Sequence, residues 1–101
     1  LLAPVLSALE KNPADNTSLA QWAKQVYTTE RTLSRRCQQE LGMSFAQWRQ
    51  RLRFLHSVSL LEQGKTVQEV ALDLGYSSSS AFIAMFQQVS GTTLQRFRND
   101  R

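Results

Sequence analysis

A chain of 101 residues, 42% hydrophobic, suffices for one small domain with thin cores and excludes two large ones. Twelve lysines and arginines against eight acids leave a net charge of +4 and a pI near 9.8, which favours a polyanionic partner. A single cysteine, Cys37, excludes an internal disulfide and a multi-cysteine metal site, and no apolar run approaches the roughly 18 residues that a membrane helix needs. The stretch from Leu1 to Leu9 lacks the basic flank of a secretion signal, and the missing initiator methionine points to a piece of a longer protein.

Apolar spacing is helical throughout, with glycine and proline as sparse punctuation, so an all-α fold is expected. Val5, Leu6 and Leu9 predict a short first helix that stops before the loop Asn12-Pro13-Ala14-Asp15-Asn16. Ser18 and Gln21 form a capping box that opens a second helix, where Leu19, Trp22, Ala23 and Val26 make one apolar stripe. After a break at Tyr27-Thr28, Thr29 caps a third helix to about Leu41, with Leu33, Cys37 and Leu41 inward and Arg31, Ser34, Arg35 and Gln38 outward. Gly42 ends it by tolerating the left-handed conformation.

Ser44 and Gln47 repeat the capping box and start a long fourth helix through about Gln63, with Phe45, Trp48, Leu52, Leu55, Val58 and Leu61 as its inward series. Such a rod is about 28 Å long. Gly64-Lys65 closes it, and Thr66 with Glu69 caps a fifth helix carrying Val67, Val70, Ala71 and Leu74. The turn Gly75-Tyr76 and a serine run, Ser77 to Ser80, lead into a sixth helix with Phe82, Met85, Phe86 and Val89 buried, ended by Gly91. Thr93 caps a short last helix containing Leu94, Phe97 and Arg98.

The chain repeats itself. Leu19, Trp22, Ala23 and Val26 map onto Val67, Val70, Ala71 and Leu74 at an offset of 48, whereas Leu33, Cys37 and Gly42 map onto Phe82, Phe86 and Gly91 at 49. The extra residue falls in the turn or the serine run. Each copy is a helix, a short turn and a second helix, with a small alanine where two helices approach: the helix-turn-helix pattern, whose second helix enters the DNA major groove. Two copies predict two insertions one helical turn of DNA apart, about 34 Å, with the fourth helix as spacer. Arg31, Arg35, Arg36, Arg49, Arg51 and Arg53 crowd one stretch against Glu30 and Glu40, which makes it the first place to look for phosphate contacts or, more simply, a solvated charged face.

These residues resemble the DNA-binding domain of the AraC/XylS family of bacterial transcription regulators. The match runs from about Ser18 to Arg98, through TTERTLSRRCQQELGMSFAQW and the more diagnostic VQEVALDLGYSSSSAFIAMFQQVSGTTLQRFR. The resemblance implies seven helices in two helix-turn-helix units, about 18–42 and 66–91, joined by a linker helix at about 44–63. It implies base reading by Arg31, Ser34 and Arg35, with Thr29, Arg36 and Gln38 on phosphates; forked arginine donors suit guanine O6 and N7. Carry-over to the second unit is thinner. Ala81 and Ala84 replace positions often polar or basic in the family, which leaves Ser79 and Ser80 as base or phosphate contacts or as simple helix caps. The first unit is therefore expected to supply most sequence discrimination.

Cys37 stands where the family has an aromatic and Leu94 where it has a proline, both read as packing variation. By resemblance the domain regulates promoters as activator or repressor in the bacterial cytoplasm, at the nucleoid. RNA polymerase is its expected partner, a sensor or dimerisation domain lies elsewhere in the longer chain, and no cofactor or metal is required. An enzyme is not expected, because His56 and Cys37 have no visible catalytic partners. The rival is a helical protein-interaction module anchored by an exposed Trp22 or Trp48.

Overall fold

A computed structural model describes residues 2–91 and shows six helices and no strand among them: α1 (Ala3–Lys11), α2 (Leu19–Gln25), α3 (Glu30–Leu41), α4 (Phe45–Glu62), α5 (Val67–Asp73) and α6 (Ser79–Ser90). The last helix expected around Thr93, Leu94, Phe97 and Arg98 lies outside the described residues. The body is elongated, 45 × 22 × 20 Å.

Local chemistry starts and stops these helices as the sequence predicts. Ser18, Ser44 and Thr66 each accept a hydrogen bond from the backbone N–H three residues on, and Gln21, Gln47 and Glu69 each reach back to the cap residue's own N–H. Thr29 caps α3 through its hydroxyl as expected, whereas α6 is capped by Ser78 and not by the expected Ser79 or Ser80. Gly42 and Gly91 end those two helices in the left-handed region, at φ 71° and 75°.

The two copies share their cap and turn geometry. Ser18 and Thr66 share φ −72° and ψ near 159°, and the turns close alike, Thr28 N–H to Ala23 C=O at 2.9 Å and Tyr76 N–H to Ala71 C=O at 3.0 Å. Since Thr28 pairs with Tyr76 while the cap Thr29 pairs with the cap Ser78, the extra residue of the second copy is Ser77. Tyr27 and Gly75 occupy the same turn position, at φ 60° and 84°.

Two separate cores result. The first packs Leu2, just before α1, and Val5 and Leu9 of α1 against Trp22, Ala23, Leu33, Cys37 and Phe45; the second gathers Val70, Ala71, Leu74, Phe82, Met85 and Phe86. Phe86 joins two ring contacts, with Phe54 at 5.0 Å and Phe82 at 6.0 Å between centroids.

Helix α4 belongs to both cores and departs from the single stripe that its sequence predicts. Phe45, Trp48 and Leu52 face the first core, while Phe54, Leu60 and Leu61 face the second. A helix that packs on two sides in succession has no one apolar face. Leu55, expected inward, is accordingly 65% exposed, and Arg53 and Ser57 are buried in its stead. Ser57 satisfies its hydroxyl by donating to the Phe54 carbonyl at 2.6 Å.

Candidate nucleic-acid interface

Leu33 and Cys37 anchor α3 by one face in the first core, which turns Arg31, Ser34, Arg35 and Gln38 to solvent at i, i+3, i+4 and i+7. All four are exposed. Burial pushes the Cys37 thiol pKa up, with the nearby Glu40 charge adding to it, so this cysteine is a neutral core residue. Thr29 is the α3 cap: its Oγ1 accepts from Thr32 N–H at 3.1 Å and donates to Thr32 Oγ1 at 3.0 Å. To donate to a phosphate it would have to redirect that proton. Arg36 is exposed and paired with Glu40 at 3.1 Å, one helical turn on. An open pair of this kind is worth a few tenths of a kcal/mol, so a competing phosphate exchanges with it easily.

The second unit presents a different surface. Ser78, not Ser79 or Ser80, is the helix cap, accepting from Ala81 N–H at 3.2 Å. Ser79 is the half-buried first residue of α6 and Ser80 the exposed second. At the 49-residue offset Ser80 corresponds to Arg31, Ala84 to Arg35 and Gln87 to Gln38, whereas Ser79 corresponds to Glu30. Gln87 is exposed on the same face. The repeat itself carried the signal for that residue, which the serine run drew attention away from.

The arginine-rich stretch divides into two groups. Arg31, Arg35, Arg36 and Arg51 are exposed, but Arg49 and Arg53 are not part of a solvated face. Arg53 is 6% exposed; its Nε donates to the Pro13 carbonyl at 2.7 Å, and its Nη2 to the Asp15 carbonyl at 2.9 Å and to Asn16 Oδ1 at 2.8 Å. Its guanidinium also lies over the Tyr76 ring, 5.2 Å from the centroid. Arg49 donates from Nη2 to the Thr17 carbonyl and stacks 4.5 Å from the Phe45 ring centroid. Desolvation lowers its pKa, the Arg53 charge adds to that, and Asp15 opposes it. Both guanidiniums hold the loop between α1 and α2, a role that charge counting along the chain cannot distinguish from a phosphate site.

A polar groove runs between the units, lined by Gly42, Met43, Gln47, Gln50, Arg51, Gln88 and Val89. Trp22 is buried and Trp48 is half-buried against the first core, so neither is an exposed anchor for a partner protein. Among the described residues no His, Cys, Asp and Glu side chains gather in a metal-binding group, and no helix is long and apolar enough to cross a membrane.

A paired helix-turn-helix whose first unit presents Arg31 and Arg35 to solvent on its second helix fits a nucleic-acid-binding domain. The family model described as a helix-turn-helix domain matches residues 22–100. Over 93 residues the chain is 41% identical to the HTH-type transcriptional regulator NimR of Escherichia coli K12, which covers 92% of this chain and 34% of that protein. A transcriptional regulator structure from Chromobacterium violaceum, described as AraC-type, matches with a TM-score of 0.84 at 26% identity, over 97% of this chain and 88% of that one. The DNA-binding domain of the transcriptional factor AdpA, solved with a target DNA, matches with a TM-score of 0.88 at 27% identity, over 98% and 90%. The chain belongs to the AraC-type helix-turn-helix family of DNA-binding transcription regulators. It spans about a third or less of the length of the curated relatives it matches, from 34% down to 13%.

Proposed function

We propose that this chain is the promoter-reading domain of a longer bacterial transcription regulator, and that it binds double-stranded DNA with α3 and α6 in successive major grooves. The observation that carries the proposal is the exposed Arg31, Ser34, Arg35 and Gln38 face on a helix whose other side is locked in a core. Arg31 and Arg35 read guanines as forked donors, and Ser34 bonds a neighbouring base. Arg36, Gln38 and Thr29 meet phosphates and fix the register. In the second unit Ser80, Gln87 and the methyls of Ala81 and Ala84 face the groove, with Ser79 at its edge. Three small side chains and one amide offer few base-specific bonds, so the first unit dominates discrimination.

The units at 18–42 and 66–91 and the linker helix at 44–63 act as one body. Acting at promoters in the cytoplasm, on nucleoid DNA, the intact regulator then engages RNA polymerase and takes its signal from a sensor or dimerisation domain elsewhere in its chain. No cofactor enters this scheme.

Selection of duplexes from a random pool, followed by titration against salt, tests the reading. A site spanning two adjacent major grooves with a steep salt slope is expected. Replacing both Arg31 and Arg35 with alanine should cost about 1–3 kcal/mol per guanine contact and relax specificity there. Undiminished binding of the selected site by that double variant would refute the assignment of α3 as the reading helix.

A further inference from the structure

The loop between α1 and α2, Asn12 to Thr17, leads into the first unit, yet it reaches the turn of the second. Asn16 Nδ2 donates to the Gly75 carbonyl at 3.0 Å, across 59 residues of sequence. On its other side the same amide accepts from Arg53 of α4 at 2.8 Å. Gly75 has no room for a side chain, because a Cβ there would run into the Ala14 carbonyl. Tyr76, the next residue, is half-buried beneath the Arg53 guanidinium; burial pushes its pKa up, with the positive charge opposing. The first-unit loop, the linker helix and the second-unit turn thus meet at one point made of Asn16, Arg53 and Gly75.

We infer that this junction is a spacing clamp: Asn16 and Arg53 fix the second unit's turn against the first unit and thereby set the separation of DNA half-sites that the chain accepts. This deepens the two-groove reading and rests on it. Helix α4 packs its early turns in one core and its late turns in the other, so flexing of that one rod, a rocking of one unit against the other, is the motion it leaves open. A third point of attachment off that axis removes the rocking. The loop supplies that attachment through three arginine bonds on one side and a carbonyl bond with close backbone contact on the other. None of these groups lies on the exposed faces of α3 or α6. They are positioning residues whose effect appears only when both units must insert together.

The test uses the 101-residue chain and its selected duplex in three forms: intact, with one base pair inserted between the halves, and with the second half scrambled. Asn16→Asp keeps an acceptor for Arg53 but loses the donor to Gly75, and Asn16→Ala loses both. Asn16 is exposed, so both variants should fold, with melting temperatures no more than several degrees below that of the parent. On the intact duplex Asn16→Asp should bind about fivefold more weakly, the share of one ordinary hydrogen bond, and Asn16→Ala, which loses two, more weakly still. On the scrambled duplex they should bind as the parent does, and the inserted base pair should weaken them less than it weakens the parent. Parent-like spacing discrimination in both variants would overturn the clamp and leave the two-groove reading standing. An equal loss on the scrambled duplex would also overturn it, since the loop would then support the first unit alone. A parent chain indifferent to the insertion would remove both the clamp and the two-groove reading.

Discussion

Tyr27 sits at φ 60° with 96% of its surface exposed, in the turn position where the second copy has Gly75. A side chain in the left-handed region places Cβ against the following carbonyl, at about 1–2 kcal/mol. Tyr27→Gly removes that clash and forfeits almost no burial. Glycine gains freedom in the unfolded chain, which offsets roughly 0.5–1 kcal/mol of the relief. The expected net is a stabilisation of about 0.5–1 kcal/mol, or several degrees in melting temperature for a domain this size. Thermal and urea unfolding of the parent and variant measure it, at unchanged m-value. Gly75→Ala is the counterpart: it meets both the left-handed strain and the Ala14 carbonyl, and should destabilise by more than about 2 kcal/mol. A lower melting temperature for Tyr27→Gly would refute the reasoning, because the ring would then be making contacts that its exposure denies.

Three further outcomes follow from the same geometry. Arg51 is exposed beside Gln47, Gln50 and Gln88 in the groove between units, so Arg51→Ala should weaken binding to all duplexes alike and lower the salt slope by about 1, read from titrations on two unrelated sequences. The hydrogen bonds from Thr17 hold the Asp15 carboxyl below its ordinary 3.8, with the charges of Arg49 and Arg53 helping. The folded carboxylate therefore binds its proton more weakly than the unfolded one, so its contribution is present above about 3.8 and lost as pH falls below it; Asp15→Asn should destabilise the chain at neutral pH and flatten its acid limb. Cys37 is fully buried with a raised pKa, so a thiol reagent should modify it only at the rate of unfolding; fast labelling of the native chain would contradict the packing of α3.

Sequence pattern reached the fold where one residue type answers to one local need. Capping boxes, left-handed glycines and single-faced stripes each announce themselves within four residues, and the repeat tied them into two units. Leu55 was misassigned because α4 changes faces partway along, which a fixed helical period cannot express. Arg53 was misassigned for a different reason. Its partners are three groups some 40 positions earlier in the chain, and nothing local separates an arginine that will bind backbone carbonyls from one that will bind phosphate. The serine run posed the same problem in miniature. Four equivalent hydroxyls hid which one caps α6 until the insertion at Ser77 set the register.

Most surface helices keep a broad solvent side on which substitutions accumulate without consequence. For α4 the fully exposed positions are few, Ala46, Gln47, Arg51, Leu55, Ser59 and Glu62, while Phe45, Trp48, Leu52, Phe54, Leu60 and Leu61 answer to one core or the other and Arg49 and Arg53 to the loop. Inserting a residue would rotate everything beyond it by about 100° and misdirect two interiors at once. The rod is thus the least editable part of the molecule, while the outer faces of α3 and α6 bear almost no packing duty. Such a division lets one scaffold acquire new binding sites by exchanging a handful of outward residues, with the geometry that presents them left intact.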